Sequence, residues 1–293
     1  MYKRQGERVV LRLLDKESSQ INIDDLGLNQ VVLKNFKKSL NSSEGMILVT
    51  GPTGSGKTTS LYAGLRYIND NSLNILTVED PIEYTLEGIG QTQVNNKTGY
   101  DFARGLRSIL RQDPDVVMLG EIRDEETARI AIQSSLTGHL VMSTVHTNSA
   151  VGAITRLRDM GIESFLLASS LKTIISQRLV RRLCNECKSE TKVSQRAIEL
   201  LGLKKGQTVF SAKGCNHCDG TGYKGRIAIA ESIQISTDLK DMIHDEASEQ
   251  DIHKIAFKDI QTIDQIGSEL LTQGLTSPEE LIRINNQQED ASI

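Results

Sequence analysis

The chain has 293 residues, 38% of them apolar and 25% charged, which is the composition of a soluble globular protein. It contains no run of about 18 uncharged apolar residues and no signal-peptide pattern, so we expect no membrane span and a cytoplasmic location, or one on a membrane face through partners. With a formal net charge of −4, the chain lacks the basic character of a dedicated nucleic-acid binder, and we expect no nucleic-acid partner.

The first residues of the chain resemble the end of a larger domain. Residues 8–14, RVVLRLL, mix apolar and basic side chains as a last strand does, and we interpret residues 1–22 as the remnant of a preceding N-terminal domain. Short apolar strands and helical patterns then alternate, which indicates a parallel sheet covered on both faces. The predicted strands are 46–50, 75–78, 116–119 and 140–144, and the predicted helices are 58–68, 101–111, 125–136 and 150–160.

A phosphate-binding loop is predicted between the first strand and the first helix. Residues 51–58, GPTGSGKT, match G-x-x-x-x-G-K-[ST] without a mismatch in this strand–helix context. The glycines permit a tight wrap whose backbone N–H groups point at phosphate oxygens, and the helix adds its N-terminal dipole. Lys57 can neutralise the β- and γ-phosphates, and Thr58 can bind magnesium. The candidate nucleotide-binding residues are Gly51, Pro52, Thr53, Gly54, Ser55, Gly56, Lys57, Thr58 and Thr59.

Acidic residues follow two of the predicted strands. Glu83 belongs to the segment EDPIE after the second strand, and Glu121 follows the third. Ligands in open α/β sheets bind beyond the carboxyl ends of the strands. ATP hydrolysis needs one carboxylate to order water on magnesium and another to orient the attacking water. His146 follows the fourth strand, where it can contact a γ-phosphate or act as a structural hydrogen-bonding group.

Arginines form a basic face on the predicted 101–111 helix. Arg104, Arg107 and Arg111 are spaced i, i+3 and i+7. Two interpretations stay open: these arginines only face solvent, or they contact phosphate across a subunit interface, as arginine fingers do. Arg12, in the N-terminal segment, is a similar candidate.

The four cysteines form two C-x-x-C pairs. Twenty-seven residues, 188–214, separate the pairs. Each pair can grip one metal with two thiolates, so we predict one tetrahedral site that holds structural zinc; a redox pair is the alternative. The predicted ligands are Cys184, Cys187, Cys215 and Cys218. Beyond them we expect a returning strand at 226–233 and, from residue 237, a mostly helical region.

Together these motifs resemble the secretion ATPases of type II secretion systems, within the wider type II/type IV pilus assembly ATPase superfamily. The resemblance rests on 51–58 (Walker A), ILTVEDPIEY at 75–84 (aspartate box), LRQDPDVVMLGEIRD at 110–124 (Walker B), GHLVMSTVHTNSA at 138–150 (histidine box) and the cysteine pairs. It implies that Glu83 activates water, Glu121 supports magnesium and His146 senses nucleotide. It also implies that Arg12, Arg107 and Arg111 approach phosphates, and that the domains preceding the family's ATPase core are represented here only by a remnant.

We therefore expect an α/β fold: a RecA-like P-loop NTPase core at 23–183 with a mostly parallel sheet, a zinc module with four cysteine ligands at 184–225, and a returning strand with a C-terminal helical region at 226–293. The expected function is a motor that couples ATP hydrolysis, with Mg2+, to pseudopilus assembly. It would act as a homohexamer docked on inner-membrane platform proteins. The alternatives are a type IV pilus assembly ATPase, a RecA-like DNA motor and an inactive assembly scaffold.

Overall fold

The computed structural model describes residues 21–70 and 72–289, with side chains up to residue 285. Arg12 and most of the proposed N-terminal remnant lie outside the described residues. The described strands are β1 (Gly45–Thr50), β2 (Ile75–Glu79), β3 (Gly90–Gln93), β4 (Val116–Leu119), β5 (Leu140–Val145), β6 (Leu171–Leu183), β7 (Ser189–Lys192), β8 (Thr208–Ser211) and β9 (Tyr223–Gln234).

Helices connect most of these strands. They are α1 (Gln30–Leu40), α2 (Lys57–Ile68), α3 (Phe102–Ile109), α4 (Glu125–Leu136), α5 (Ala150–Asp159), α6 (Ser164–Ser170), α7 (Gln195–Leu201), α8 (Thr237–His244), α9 (Glu249–Ala256), α10 (Ile263–Thr272) and α11 (Pro278–Glu289). Among the residues that the structure describes, no helix combines the length and apolarity needed to cross a membrane.

The main sheet has the strand order β3-β2-β4-β5-β1-β6-β9. All neighbours pair in parallel except β6 and β9, which are antiparallel, so the predicted mostly parallel sheet is confirmed. Strands β7 and β8 form a separate antiparallel pair. Neither β3 nor β6 was predicted from the sequence. One helix was predicted at 101–111, whereas α3 ends at Ile109 and a 3-10 turn covers Leu110–Gln112.

Strand β1 shows why the sheet is covered on both faces. Successive side chains of a strand point to opposite faces, and every residue of β1 is buried. Met46 and Leu48 belong to one apolar cluster, which includes side chains of α3 to α6. Ile47 and Val49 belong to a second cluster, with side chains of α1 and α2. The helices on either side therefore leave only the two ends of the central strands open, and ligands must enter at an end.

A third apolar cluster joins the cysteine-containing region to the end of the chain. It contains Val180 from β6, Ala197 from α7, Val209 from β8 and Leu281 from α11, together with further apolar side chains of α10 and α11. Helix α11 is thus part of the support on which the β7–β8 pair rests.

Glu280 fastens α11 to the end of β6. Its fully buried carboxylate accepts hydrogen bonds from the Arg181 backbone N–H at 3.0 Å and the Arg181 Nε at 2.8 Å. It also accepts bonds from Arg283 Nε at 3.0 Å and Nη2 at 2.7 Å. Burial alone would raise the pKa of Glu280, but the hydrogen bonds from Arg283 and Arg181 outweigh it and lower that pKa to about 2.

Replacing this carboxylate should make the chain less stable in a pH-dependent way. Because the folded-state pKa is depressed, the stabilisation is present above pH 4.5 and is lost as the pH falls towards about 2. Glu280→Gln should lower the free energy of unfolding at pH 7 by about 2 kcal/mol, the contribution of charge-assisted hydrogen bonds. Denaturant titrations at several pH values measure this difference, with exposed Glu279→Gln as the control. An equal loss at pH 7 and pH 2 would contradict the assignment.

Candidate active site and candidate metal centre

The phosphate loop connects β1 to α2 and is followed directly by a buried lysine. Lys57 is the first residue of α2, and its Nζ donates to the carbonyls of Gly51 at 2.8 Å and Pro52 at 3.0 Å. Burial lowers the pKa of Lys57, while the charge of Glu121 opposes that effect. The lysine is therefore held at the N-terminus of a helix, near the carboxylate of Glu121 in the loop after β4.

Gln177 on β6 forms hydrogen bonds that hold the phosphate loop and the start of α2. Its side-chain amide donates to the Ser55 carbonyl at 2.8 Å and accepts a hydrogen bond from the Ser60 hydroxyl at 2.7 Å. A Cβ on Gly51 would lie 2.2 Å from the Gln177 carbonyl oxygen, and one on Gly56 would lie 2.8 Å from its side-chain nitrogen. Both glycines also have positive φ, so this close approach and this backbone conformation both require glycine. Gln177 was not predicted from the sequence, because it lies more than 100 residues from the motif.

A cavity of about 530 Å³ opens at the carboxyl ends of β1, β2, β4 and β5. It brings together the predicted residues Lys57, Glu83, Glu121 and His146. The loop residues Thr53, Gly54, Ser55, Gly56, Thr58 and Thr59 also line it. Other residues on its wall had no predicted role, including Glu79, Leu179 and Arg226. Leu179 and Arg226 come from β6 and β9, so they reach the cavity through the strands that follow the recognised motifs.

Glu121 is at the centre of a charged cluster on this wall. Its carboxylate accepts a hydrogen bond from Arg123 Nη2, and its Oε2 lies 3.3 Å from His146 Nε2. Burial by itself would raise the pKa of Glu121, but Arg123, His146 and Lys57 together lower it. Arg123 also lies 3.8 Å from Asp80, so it joins the segments after β2 and β4.

The pKa of His146 is lowered from its ordinary value. Burial is the main cause, Lys57 adds to it, and Glu121 acts in the opposite direction. At pH 7 the imidazole is therefore neutral, and it can accept a proton or donate one hydrogen bond.

The arginines predicted on the 101–111 helix do not reach the cavity of their own chain. Arg104, Arg107 and Arg111 are exposed, and none of them lines the cavity. Arg107 forms an ion pair with Glu126 on α4. The geometry of one chain is therefore compatible with both interpretations left open by the sequence.

The residues of the loop fit a bound nucleotide with magnesium. The buried Ser55 hydroxyl has no hydrogen-bond partner among the described residues. The N-terminus of α2, which spans 12 residues, contributes its positive end at the same place. Thr58 has a hydroxyl and Glu121 a carboxylate at this cavity, and these are the ligand types that could hold magnesium there. Magnesium, when bound there, would neutralise charge on the phosphate oxygens.

The four cysteines come together away from this cavity. Their Sγ atoms all lie within 4.8 Å of one another. The separations are 3.9 Å for Cys184–Cys215, 3.8 Å for Cys187–Cys218 and 3.7 Å for Cys215–Cys218. A tetrahedral site with metal–sulfur bonds of about 2.3 Å places sulfurs about 3.8 Å apart. All four are free thiols, so the cluster can hold a metal ion.

Backbone groups support the cluster from outside. The N–H groups of Cys215 and Gly222 each donate to Cys218 Sγ at 3.2 Å. Hydrogen bonds of this kind orient a thiolate ligand and reduce its charge.

Known proteins are similar to this chain over most of its length. The family described as "Type II/IV secretion system protein" matches residues 2–283. The chain is 53% identical over 285 residues to "Type II secretion system protein E" of Pseudomonas aeruginosa, covering 97% of this chain and 57% of that protein. It is 52% identical over 284 residues to "Type II secretion system ATPase E" of Vibrio cholerae, covering 96% and 56%. The chain thus spans somewhat more than half the length of these relatives.

Solved structures show the same fold. The pilus retraction motor PilT with bound ADP superposes with a TM-score of 0.69 at 30% identity, covering 90% of this chain and 66% of that one. The ATPase DotB of Legionella pneumophila superposes with a TM-score of 0.66 at 22% identity, covering 91% and 66%, and supports the fold alone.

Proposed function

Because this chain belongs to the type II/IV secretion system protein family, we propose that it is the ATP-hydrolysing motor part of a type II secretion system. In this role it would couple hydrolysis to pseudopilus assembly and protein export. The observation that carries the proposal is the convergence of Lys57, Glu83, Glu121 and His146 on one cavity beside the phosphate loop.

Each of these residues has a distinct task in the proposed reaction. The loop N–H groups and Lys57 bind the phosphates of ATP, and Thr58 and Glu121 hold magnesium with its water. Glu83 orients the attacking water and takes up its proton as the water oxygen bonds to the γ-phosphorus. The bond from that phosphorus to the β–γ bridging oxygen breaks in the same step, and ADP leaves. The one N–H of neutral His146 is at Nε2, 3.3 Å from Glu121. In the proposed reaction it is donated to the γ-phosphate of ATP instead of Glu121, and so distinguishes ATP from ADP.

Type IV pilus assembly is the nearest alternative, since PilT shares the fold at 30% identity. The relatives at about half identity favour secretion, because they carry names of type II secretion proteins. A DNA motor would need an exposed basic surface at the groove that nucleic acid occupies. On the exposed arginine face, Arg107 is already paired with Glu126, which favours the motor of a secretion apparatus over a DNA motor.

We infer that the working unit is a ring, with a homohexamer as the expected form. Phosphoryl transfer needs positively charged groups beside the transferring phosphoryl group, and Arg107 and Arg111 do not line the cavity of their own chain. A neighbouring subunit can present them to it. Docking on inner-membrane platform proteins would then place a cytoplasmic motor against the membrane.

Lys57 and Glu83 should act at different steps. Lys57→Ala should weaken ATP binding about tenfold or more, because a buried charge that contacts phosphate is lost. Glu83→Gln should bind ATP within about threefold of the parent and hydrolyse it at least about 100-fold more slowly. A fluorescent ATP analogue and a phosphate-release assay measure the two effects. Glu87→Gln, exposed on the same segment, is the control. Parental turnover in Glu83→Gln would remove that residue from the mechanism.

We propose that the cysteine cluster holds one structural zinc ion. The sulfur separations fit four-coordinate zinc, and a site filled by four thiolates leaves no open position for catalysis.

Metal analysis of freshly purified protein should find about one zinc per chain. Cys218→Ser should release it, and the β7–β8 region should then be cleaved first by protease, because zinc in such sites supplies folding free energy. Metal-free protein with four titratable thiols and unchanged protease resistance would contradict the site.

Arg107 should contribute across a subunit interface. Turnover per chain should rise with protein concentration as rings form, and Arg107→Ala should lower it by about 10³-fold while binding ATP as the parent does. Glu126→Gln, which removes only the ion-pair partner, is the matched control and should retain activity. If turnover is constant from monomer to oligomer and Arg107→Ala has the turnover of the parent, the arginines only face solvent and contact no phosphate.

A further inference from the structure

A buried hydrogen-bond network lies beside the cavity, and the proposed mechanism assigns it no task. Its centre is Glu79, the last residue of β2, which is only 2% exposed. The Glu79 carboxylate accepts hydrogen bonds from the Tyr62 hydroxyl, from the Thr77 hydroxyl at 2.5 Å and from the Gln91 side-chain amide at 3.0 Å. Burying a carboxylate is costly, and bonds of this kind offset the loss of hydration.

Tyr62 connects this carboxylate to the segment that carries Glu83. Its ring is 1% exposed and packs edge-on against Tyr84, with the ring centroids 4.7 Å apart. Its hydroxyl donates to Glu79. The backbone N–H of Glu83 is directed at the same oxygen and partly offsets the rise in the pKa of Tyr62. Burial and the neighbouring Glu79 raise the pKa of Tyr62, so the hydroxyl stays protonated.

The Tyr62 hydroxyl can take part in both hydrogen bonds because it donates one and accepts the other. A tyrosine hydroxyl has one proton. While that proton points at Glu79, the lone pairs of the oxygen remain available to the Glu83 N–H. Glu79 therefore orients the hydroxyl that in turn holds the Glu83 backbone.

Gln91 holds the same segment from β3. Its amide nitrogen donates to the Tyr84 carbonyl at 3.2 Å, and its oxygen accepts from the Leu86 N–H at 2.7 Å. The segment between β2 and β3 is thus fixed on one side by α2 and on the other by β3.

We propose that Tyr62, held by Glu79, is a positioning residue that sets the Glu83 carboxylate for attack by water on the γ-phosphate. The proposal rests on the proposed function, because it assumes that Glu83 orients that water. Lys57 and Tyr62 belong to the same helix, so the contact to phosphate and the placement of Glu83 depend on one rigid element. A catalytic group displaced by about 1 Å can cost on the order of 100-fold in rate.

The first test measures the Glu83 amide directly and needs no enzymatic activity. Tyr62→Phe removes the hydroxyl and keeps the ring. Residue-resolved hydrogen exchange should show the Glu83 amide exchanging about fivefold to tenfold faster, the effect of losing one hydrogen bond. The Ile82 amide is the internal control, because it donates to Gln93 at 3.3 Å and should be unchanged. Tyr67→Phe, an exposed tyrosine on the same helix, is the matched variant. Unchanged exchange at Glu83 would overturn the proposal.

The second test separates positioning from general packing. Tyr62→Phe should lower kcat about 10-fold to 100-fold while ATP binds within about threefold of the parent. In a Glu83→Gln background the same substitution should cost nothing further, because the group it positions is already gone. An equal loss in both backgrounds would overturn the proposal and assign Tyr62 to the core alone. A parent chain that binds ATP without hydrolysing it would contradict the proposed function, and the exchange result would still decide whether Tyr62 holds Glu83.

Discussion

The site depends on the close contact between the phosphate loop and Gln177 of β6. Gly51 and Gly56 let the loop approach β6 to a distance that no other residue permits. The loop leads directly into α2, in which Lys57 lies near Glu121 and Tyr62 donates a hydrogen bond to Glu79 at the end of β2. A substitution at either glycine would therefore displace groups contributed by several different strands, and not only the loop itself.

The parallel direction of the central strands also determines where the site residues meet. Because β1, β2, β4 and β5 run in one direction, the residues that follow them meet at one edge. This is why residues distant in sequence, such as Glu83 and His146, line one cavity. It also explains why the candidate site was largely predictable: each strand is a short apolar run, and the polar residue after it is recognisable.

What the sequence left unpredicted depends on long-range packing. Strand β3, GQTQ, is polar and partly exposed, so it has no apolar pattern, and β6 mixes apolar residues with Arg178, Arg181 and Arg182. Without β6 there was no reason to place Gln177 near the loop, and the strand predicted at 226–233 had no neighbour that would bring Arg226 there. The sequence left two interpretations of Arg107 for a different reason: the pattern of a single helix does not show which of its residues contact another subunit.

A structure with magnesium and a non-hydrolysable ATP analogue tests the central claim most directly. The phosphates should contact the backbone N–H groups of residues 51–58 and Lys57, with Glu83, Glu121 and His146 around the γ-phosphate. An analogue bound outside this cavity, or with its γ-phosphate turned away from Glu83 and Glu121, would contradict the account.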